Sequence, residues 1–286
     1  WWRWVLGSAL ILVIWQGVGT IPYFVACEYL SGSTITEFTC GEFGIVGDSH
    51  IPNFVLGNYG FIIGIIGVWL TVKLLHKKTL TATTTGRAAF DYNRVIFAIV
   101  AGLFFYLGTS ILEVVLSDSP MADVTFQSPN PWEYLTFFLF AIVLTPYQAG
   151  FEEIFFRGYL TQGISHFTKN KQGLALISGV LFVLPHLLNP EPWEYGFLPY
   201  VSSLLLFGFF MCLLTLFDDG IELACGFHAI NNLWVWLIMS TEVSVMGAPS
   251  LFVIQIEEYS FFPDILFQAG LYSLLFVLFN SKYKWF

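Results

Sequence analysis

Eight stretches of almost unbroken apolar residues run through this sequence of 286 residues, at about 4–24, 54–75, 95–116, 133–163, 173–188, 197–217, 221–241 and 263–281. Each is close to or beyond the roughly 17 residues that a helix needs to cross a bilayer. Continuous apolar runs suit helices, whose backbone hydrogen bonds close within the segment, whereas a transmembrane barrel would show short segments of alternating polarity. Only 11% of the residues are charged and 56% are hydrophobic, where soluble domains carry roughly 25% charge. Too few polar side chains remain to cover a water-facing surface. The chain therefore reads as an all-α, polytopic membrane protein of about eight transmembrane helices. No internal repeat or linker divides it, so residues 1–286 are expected to form a single transmembrane domain.

The 11 Lys and Arg residues fix the orientation, because short loops rich in them stay in the cytoplasm. Arg3, Lys73, Lys77, Lys78, Arg87, Arg94, Arg157, Lys169, Lys171, Lys282 and Lys284 all fall at or near one face once eight crossings are drawn. The connections around 25–53, 117–132, 189–196 and 242–262 contain no Lys or Arg, and most carboxylates lie in or beside them. Both termini are predicted to be cytoplasmic, in the inner (cytoplasmic) membrane. The first apolar run has no obvious small-residue cleavage site and reads as a retained helix. The lipid bilayer is the first partner, and the formal net charge of −9 speaks against nucleic acid. Cys27 and Cys40 share the first external loop, where either a disulfide or two free thiols fits. Cys212 and Cys225 lie in helices six and seven, and the four show no metal-ligand spacing.

An ionisable side chain at bilayer depth costs several kcal/mol on insertion scales and points to function by default. Few pass this filter: Glu152, Glu153 and Arg157 on helix four, His186 on helix five, and His228 with Asn231 and Asn232 on helix seven. Counting at about 1.5 Å per residue places Glu152 about 25 Å from Lys169 and His186 about 22 Å from Lys171. His228 and Asn232 come to about 14 and 20 Å from Asp219. A polar site between helices four, five and seven follows. Residues four apart share a helix face, so Glu153 can pair with Arg157, and His228 lies above Asn232; Glu152, turned by about 100°, faces elsewhere. Pro146 and Pro185 free backbone groups beside these positions, which suits a polar cavity. That cavity is expected to open toward the cytoplasm.

A buried carboxylate beside an imidazole can act as general base toward water, and an imidazole beside an amide can stabilise an oxyanion. Such a set can hydrolyse an acyl bond without a Ser or Cys nucleophile. Two His and a Glu could instead hold zinc, although the His-Glu-x-x-His helix pattern is absent.

Three motifs carry a family resemblance. Glu152-Glu153-Ile-Phe-Phe-Arg157 matches EExxxR, Phe182-Val-Leu-Pro-His186 matches FxxxH, and His228-Ala-Ile-Asn-Asn232 matches HxxxN. In this order, over about residues 95–245, the chain resembles the CAAX protease and bacteriocin-processing (CPBP, or Abi) family, whose best-known branch is the Rce1-type prenyl-protein endopeptidase. The resemblance implies an intramembrane glutamic protease, in which Glu152 activates water with help from His186. His228 with Asn232 would stabilise the oxyanion, and Glu153 with Arg157 would support the site. Relatives carry the metalloprotease label, but the implied mechanism needs no metal, and no metal or cofactor is expected. The implied substrate is a membrane-associated protein or peptide, prenylated at a CAAX-type terminus or otherwise. A second reading is a non-catalytic membrane scaffold or bacteriocin-immunity partner on the same fold, working with a membrane complex partner. A third, a proton-relaying transporter, would lead one to look for inverted repeats, and none is visible.

Overall fold

The structure is a computed structural model, which describes residues 1–31, 38–41, 44–116, 124–255 and 261–286. The parts of the external loops at 32–37, 42–43, 117–123 and 256–260 lie outside the described residues. The chain is mostly helical and contains no barrel, as an all-α polytopic membrane protein should. Six helices are long and apolar enough to cross a membrane: α1 (Trp2–Tyr29), α2 (Ile51–His76), α3 (Tyr92–Leu112), α4 (Pro131–Ile164), α6 (Phe197–Asp218) and α8 (Phe261–Tyr283). Two further helices, α5 (Lys171–His186) and α7 (Glu222–Leu237), have 16 residues each.

Among the described residues, then, six of the eight apolar runs form helices of spanning length, and α5 and α7 are shorter than the sequence suggests. Sixteen residues rise about 24 Å, short of the roughly 30 Å hydrocarbon layer. Local sequence explains both stops. Pro185, Pro190 and Pro192 leave no room for α5 to continue, and α7 gives way to a strand, β4 (Met239–Thr241). That strand pairs in parallel with β5 (Phe252–Ile254), which pairs antiparallel with β3 (Val124–Phe126). A second small hairpin joins β1 (Thr39–Gly41) to β2 (Gly44–Val46). Both sheets belong to the end of the molecule whose connections lack Lys and Arg. At that end Cys27 and Cys40 are disulfide-bonded, with Cα atoms 5.7 Å apart. Of the two states left open by the sequence, the structure adopts the bridged one.

Helix starts follow their caps. The Asn130 side chain accepts from the backbone N–H of Trp132 and Glu133 at the head of α4, where Pro131 needs no partner. Asn170 accepts from Gln172 at the head of α5. Close crossings depend on glycine. A Cβ on Gly208 of α6 would sit 2.9 Å from the Cα of Gly179 on α5, and one on Gly64 of α2 would sit 2.5 Å from the Phe151 ring of α4. The core between the helices is aromatic, with Phe151, Phe155, Tyr159, Phe182 and Phe227 all almost wholly buried.

Candidate active site

The site is organised by α4, whose winding changes from α to π at Glu153 and returns at Thr161. π-turns inside longer helices recur at functional sites because they re-aim side chains that a regular helix would separate. Both neighbouring carboxylates, at the start of this change, reach one partner. His228 of α7 lies between them, with Nδ1 2.7 Å from Glu153 Oε1 and Nε2 3.5 Å from Glu152 Oε2. Glu152, one position earlier, thus meets the other nitrogen of the same ring. The expected pair is present as well: Arg157 Nη1 donates to Glu153 Oε1 at 3.0 Å. Both of those side chains are fully buried. The guanidinium also lies 4.2 Å from the centre of the Phe182 ring, against its face.

These contacts assign protons. Glu153, ionised beside Arg157, accepts the Nδ1 proton of His228, so in the neutral ring Nε2 presents its lone pair toward Glu152. A proton on that side can sit on Glu152 or on His228 Nε2, and Glu153 stabilises the imidazolium in the second case. His186 is held in the opposite sense. Its Nδ1 donates to the Phe182 carbonyl at 2.8 Å, which leaves Nε2 as the acceptor of the neutral ring.

Asn232 belongs to a relay that extends beyond the motif. The Tyr106 hydroxyl donates to Asn231 Oδ1 at 2.5 Å, and Asn231 Nδ2 donates to Asn232 Oδ1 at 2.8 Å. With its oxygen engaged, Asn232 offers its N–H groups to Gln148 Oε1, at 3.4 Å, and to the adjoining cavity. Tyr106 and Gln148 were not legible as site residues. Tyr106 reads as one more aromatic on α3, and Gln148 lies one turn before Glu152 on α4, a spacing that only the presence of a cavity makes meaningful.

Two cavities meet at the site. One of about 260 Å³ lies against α1 and α2 and is lined by Trp15, Asn53, Gln148, Glu152 and His186 among others. The second, of about 370 Å³, lies among α5, α6, α7 and α8 and is lined by Glu152, His186, His228 and Asn232 among others. Glu152, His186, Gln148 and Asn189 belong to both walls. The structure therefore brings together all four polar residues expected to meet, with Glu153 and Arg157 packed behind them. Among the described residues no group of three or more His, Cys, Asp or Glu is arranged to hold a metal ion.

Residues 131–234 match the family model described as type II CAAX prenyl endopeptidase Rce1-like. The chain carries an Rce1-like domain. This is consistent with the CPBP resemblance, and the match runs from the start of α4 into α7, so the EExxxR, FxxxH and HxxxN motifs all lie within it. The apolar helices, together with this match, make the chain an integral membrane protein. The chain is also similar to a curated protein of Bacillus subtilis (strain 168), described as uncharacterized protein YyaK. The two are 28% identical over 256 residues, which is 88% of this chain and 83% of the relative. No solved structure matches.

Proposed function

We propose that the protein is an intramembrane endopeptidase in which Glu152 activates the hydrolytic water. One observation carries this reading: of the two adjacent carboxylates, Glu153 is tied through Oε1 to both Arg157 and His228 Nδ1 and lines neither cavity, whereas Glu152 borders both cavities and faces a nitrogen that can exchange a proton with it. Water attacks the scissile carbonyl carbon as its proton passes to Glu152, and the new C–O bond pushes the carbonyl electrons onto oxygen. The Asn232 amide and protonated His228 stabilise that oxyanion. Collapse of the tetrahedral intermediate breaks the C–N bond, and the proton is returned to the leaving amine. His186, with Nε2 as acceptor, orients the water. Glu153 and Arg157 are positioning residues that act through the His228 ring.

The substrate is a membrane-associated protein or peptide, of CAAX type or otherwise. Neither metal nor cofactor takes part in this scheme. The whole of residues 1–286 acts as one membrane domain in this reading, supported by the packing of α1, α2, α3 and α8 against the core of the Rce1-like segment. Comparative membrane proteomics tests the assignment. Cells with the wild-type protein should show a new peptide terminus that is missing from cells with Glu152→Ala at equal abundance. Unchanged cleavage by Glu152→Ala would remove Glu152 from the mechanism, and unchanged cellular function of the variant without any cleavage would favour the non-catalytic scaffold or immunity role.

A further inference from the structure

We infer that the site is entered from the non-cytoplasmic face and that it takes a cationic peptide segment presented there. This deepens the proteolytic reading and rests on it for the word substrate, but the entry side stands on separate observations. α5 stops at the site itself, at His186, and α7 five residues beyond Asn232, and the loops that follow them contribute to the cavity walls: Asn189 borders both cavities, and so do Val245 and Met246. Irregular backbone at membrane depth is tolerated where it lines a wet cavity. Asn53 fastens this rim, its side-chain N–H donating to the Met246 carbonyl at 2.8 Å while its oxygen accepts from Ile45 N–H.

Toward the opposite end the way is closed. Phe155, Tyr159, Met211 and Leu214 beneath the site are each at most 2% exposed. Beyond them Trp4 packs against His76 and Tyr159, with ring centres 4.2 and 4.8 Å apart. The cytoplasmic opening expected from the sequence is therefore replaced by an opening at the other end.

Two features assign that end to the non-cytoplasmic side. The basic residues other than buried Arg157 gather at the closed end, which the positive-inside rule places in the cytoplasm. The Cys27–Cys40 disulfide is at the open end, as an oxidising compartment requires. The chemistry of the entrant follows from charge. Among the described residues of the connections at that end, Glu28, Asp48, Glu191, Glu194 and Glu242 are acidic and none is Lys or Arg, and Glu191 borders the second cavity. Such a mouth concentrates cations and repels anions.

Thiol labelling tests both parts. Met246→Cys and Ser244→Cys, each in a Cys212→Ala/Cys225→Ala background, should react in intact cells with a membrane-impermeant methanethiosulfonate. Lys169→Cys should react only after permeabilisation. The quaternary ammonium reagent should modify the two rim cysteines roughly tenfold faster than the anionic sulfonate reagent, after correction for their rates with a small free thiol, and high salt should erase the difference. Labelling of Lys169→Cys but of neither rim cysteine in intact cells would overturn the entry side. Equal corrected rates for the two reagents would overturn the cationic preference. Repeating the labelling on Glu152→Gln separates this inference from the proteolytic one, because an inactive protein with the same accessibility leaves the entry side standing.

Discussion

The molecule holds two buried ionic clusters, and only one of them is balanced. At the end where the basic residues gather, Arg87 pairs with Asp218 at 3.0 Å and with Glu222 at 3.2 Å, and Arg94 pairs with Asp218 as well. The two buried carboxylates, Asp218 and Glu222, meet two guanidiniums, and the Trp285 indole N–H adds a bond to Asp218 at 3.0 Å. A third carboxylate, the more exposed Asp91, lies 3.3 Å from Arg94 Nε, so the balance holds for the buried carboxylates, each of which has a guanidinium partner. In the membrane interior Glu152 and Glu153 meet one guanidinium, Arg157, and one imidazole, His228. This set is neutral only with one extra proton shared between Glu152 and His228. The first cluster ties the 87–94 segment to the ends of α6 and α7, whereas the second keeps one proton mobile beside two cavities. Burial and ion pairing are common to both; the missing second arginine distinguishes a site from a clamp.

The comparison breaks most directly at Glu152. Glu152→Gln should lower turnover of a cleaved substrate by roughly 10²–10⁴-fold, the range for loss of a general base, while the melting temperature in detergent stays near that of the wild type. A melting temperature that fell as far as the activity would make Glu152 structural and the two clusters alike. Arg157→Ala should show the next largest effect, of a different kind. It strands Glu153 as a buried, uncompensated charge, which typically costs about 3–5 kcal/mol, and the folded yield should collapse. The double variant Glu153→Gln/Arg157→Met should recover much of the fold and little of the activity, since His228 then has no anion at Nδ1. Recovery of both would mean that the pair does not position the imidazole.

Much of this was legible in the sequence because a bilayer penalises polar residues so heavily. Glu152, Glu153, Arg157, His186, His228 and Asn232 stand out against apolar surroundings, and their motif spacings place them on α4, α5 and α7. What depends on backbone detail was not legible. The π-winding at Glu153–Leu160 is not distinguished by the local residue pattern from a regular helix, and that Glu152 and Glu153 reach the same histidine depends on where α7 packs. The shortness of α5 and α7 is half visible, in the prolines after Leu184, but the end of α7 at Leu237 is concealed because the apolar residues continue through Ile238 and Met239 with no Gly or Pro to mark a stop. Tyr106 was silent for another reason: its role comes from a contact across 125 positions of sequence.

A smaller effect is expected at the balanced cluster. Arg87→Ala leaves Asp218 with Arg94 and Trp285 but deprives Glu222 of its ion pair, although Glu222 Oε1 keeps the backbone N–H of Asp91 at 3.2 Å. Arg87 is itself a quarter exposed, so water can partly replace it. The loss should come to about 1–3 kcal/mol, read as a lower melting temperature in detergent, with kcat unchanged in the protein that remains folded. A fall in kcat at constant stability would show that the clamp is coupled to the site.

Glu191 sharpens the comparison as an intermediate case. It lies in the loop after α5, outside the six spans, and borders the second cavity. Its carboxylate accepts from the Val245 backbone N–H at 2.9 Å, and among the described residues it has no ion pair. Burial pushes its carboxyl above the ordinary range, and the Val245 N–H opposes that shift without cancelling it. The folded state therefore favours the protonated acid. The stability this provides is complete below the ordinary carboxylate pKa of about 4.3 and is lost as pH rises through the higher folded value. Glu191→Gln mimics the protonated form and keeps an acceptor for Val245. It should leave stability at pH 4 almost unchanged and raise it at pH 8, by less than about 1 kcal/mol, so the melting temperature should depend less on pH than in the wild type. A variant less stable than wild type at pH 8 would mean that a cation from outside the described contacts neutralises Glu191, and the rim of the cavity would then resemble the balanced cluster.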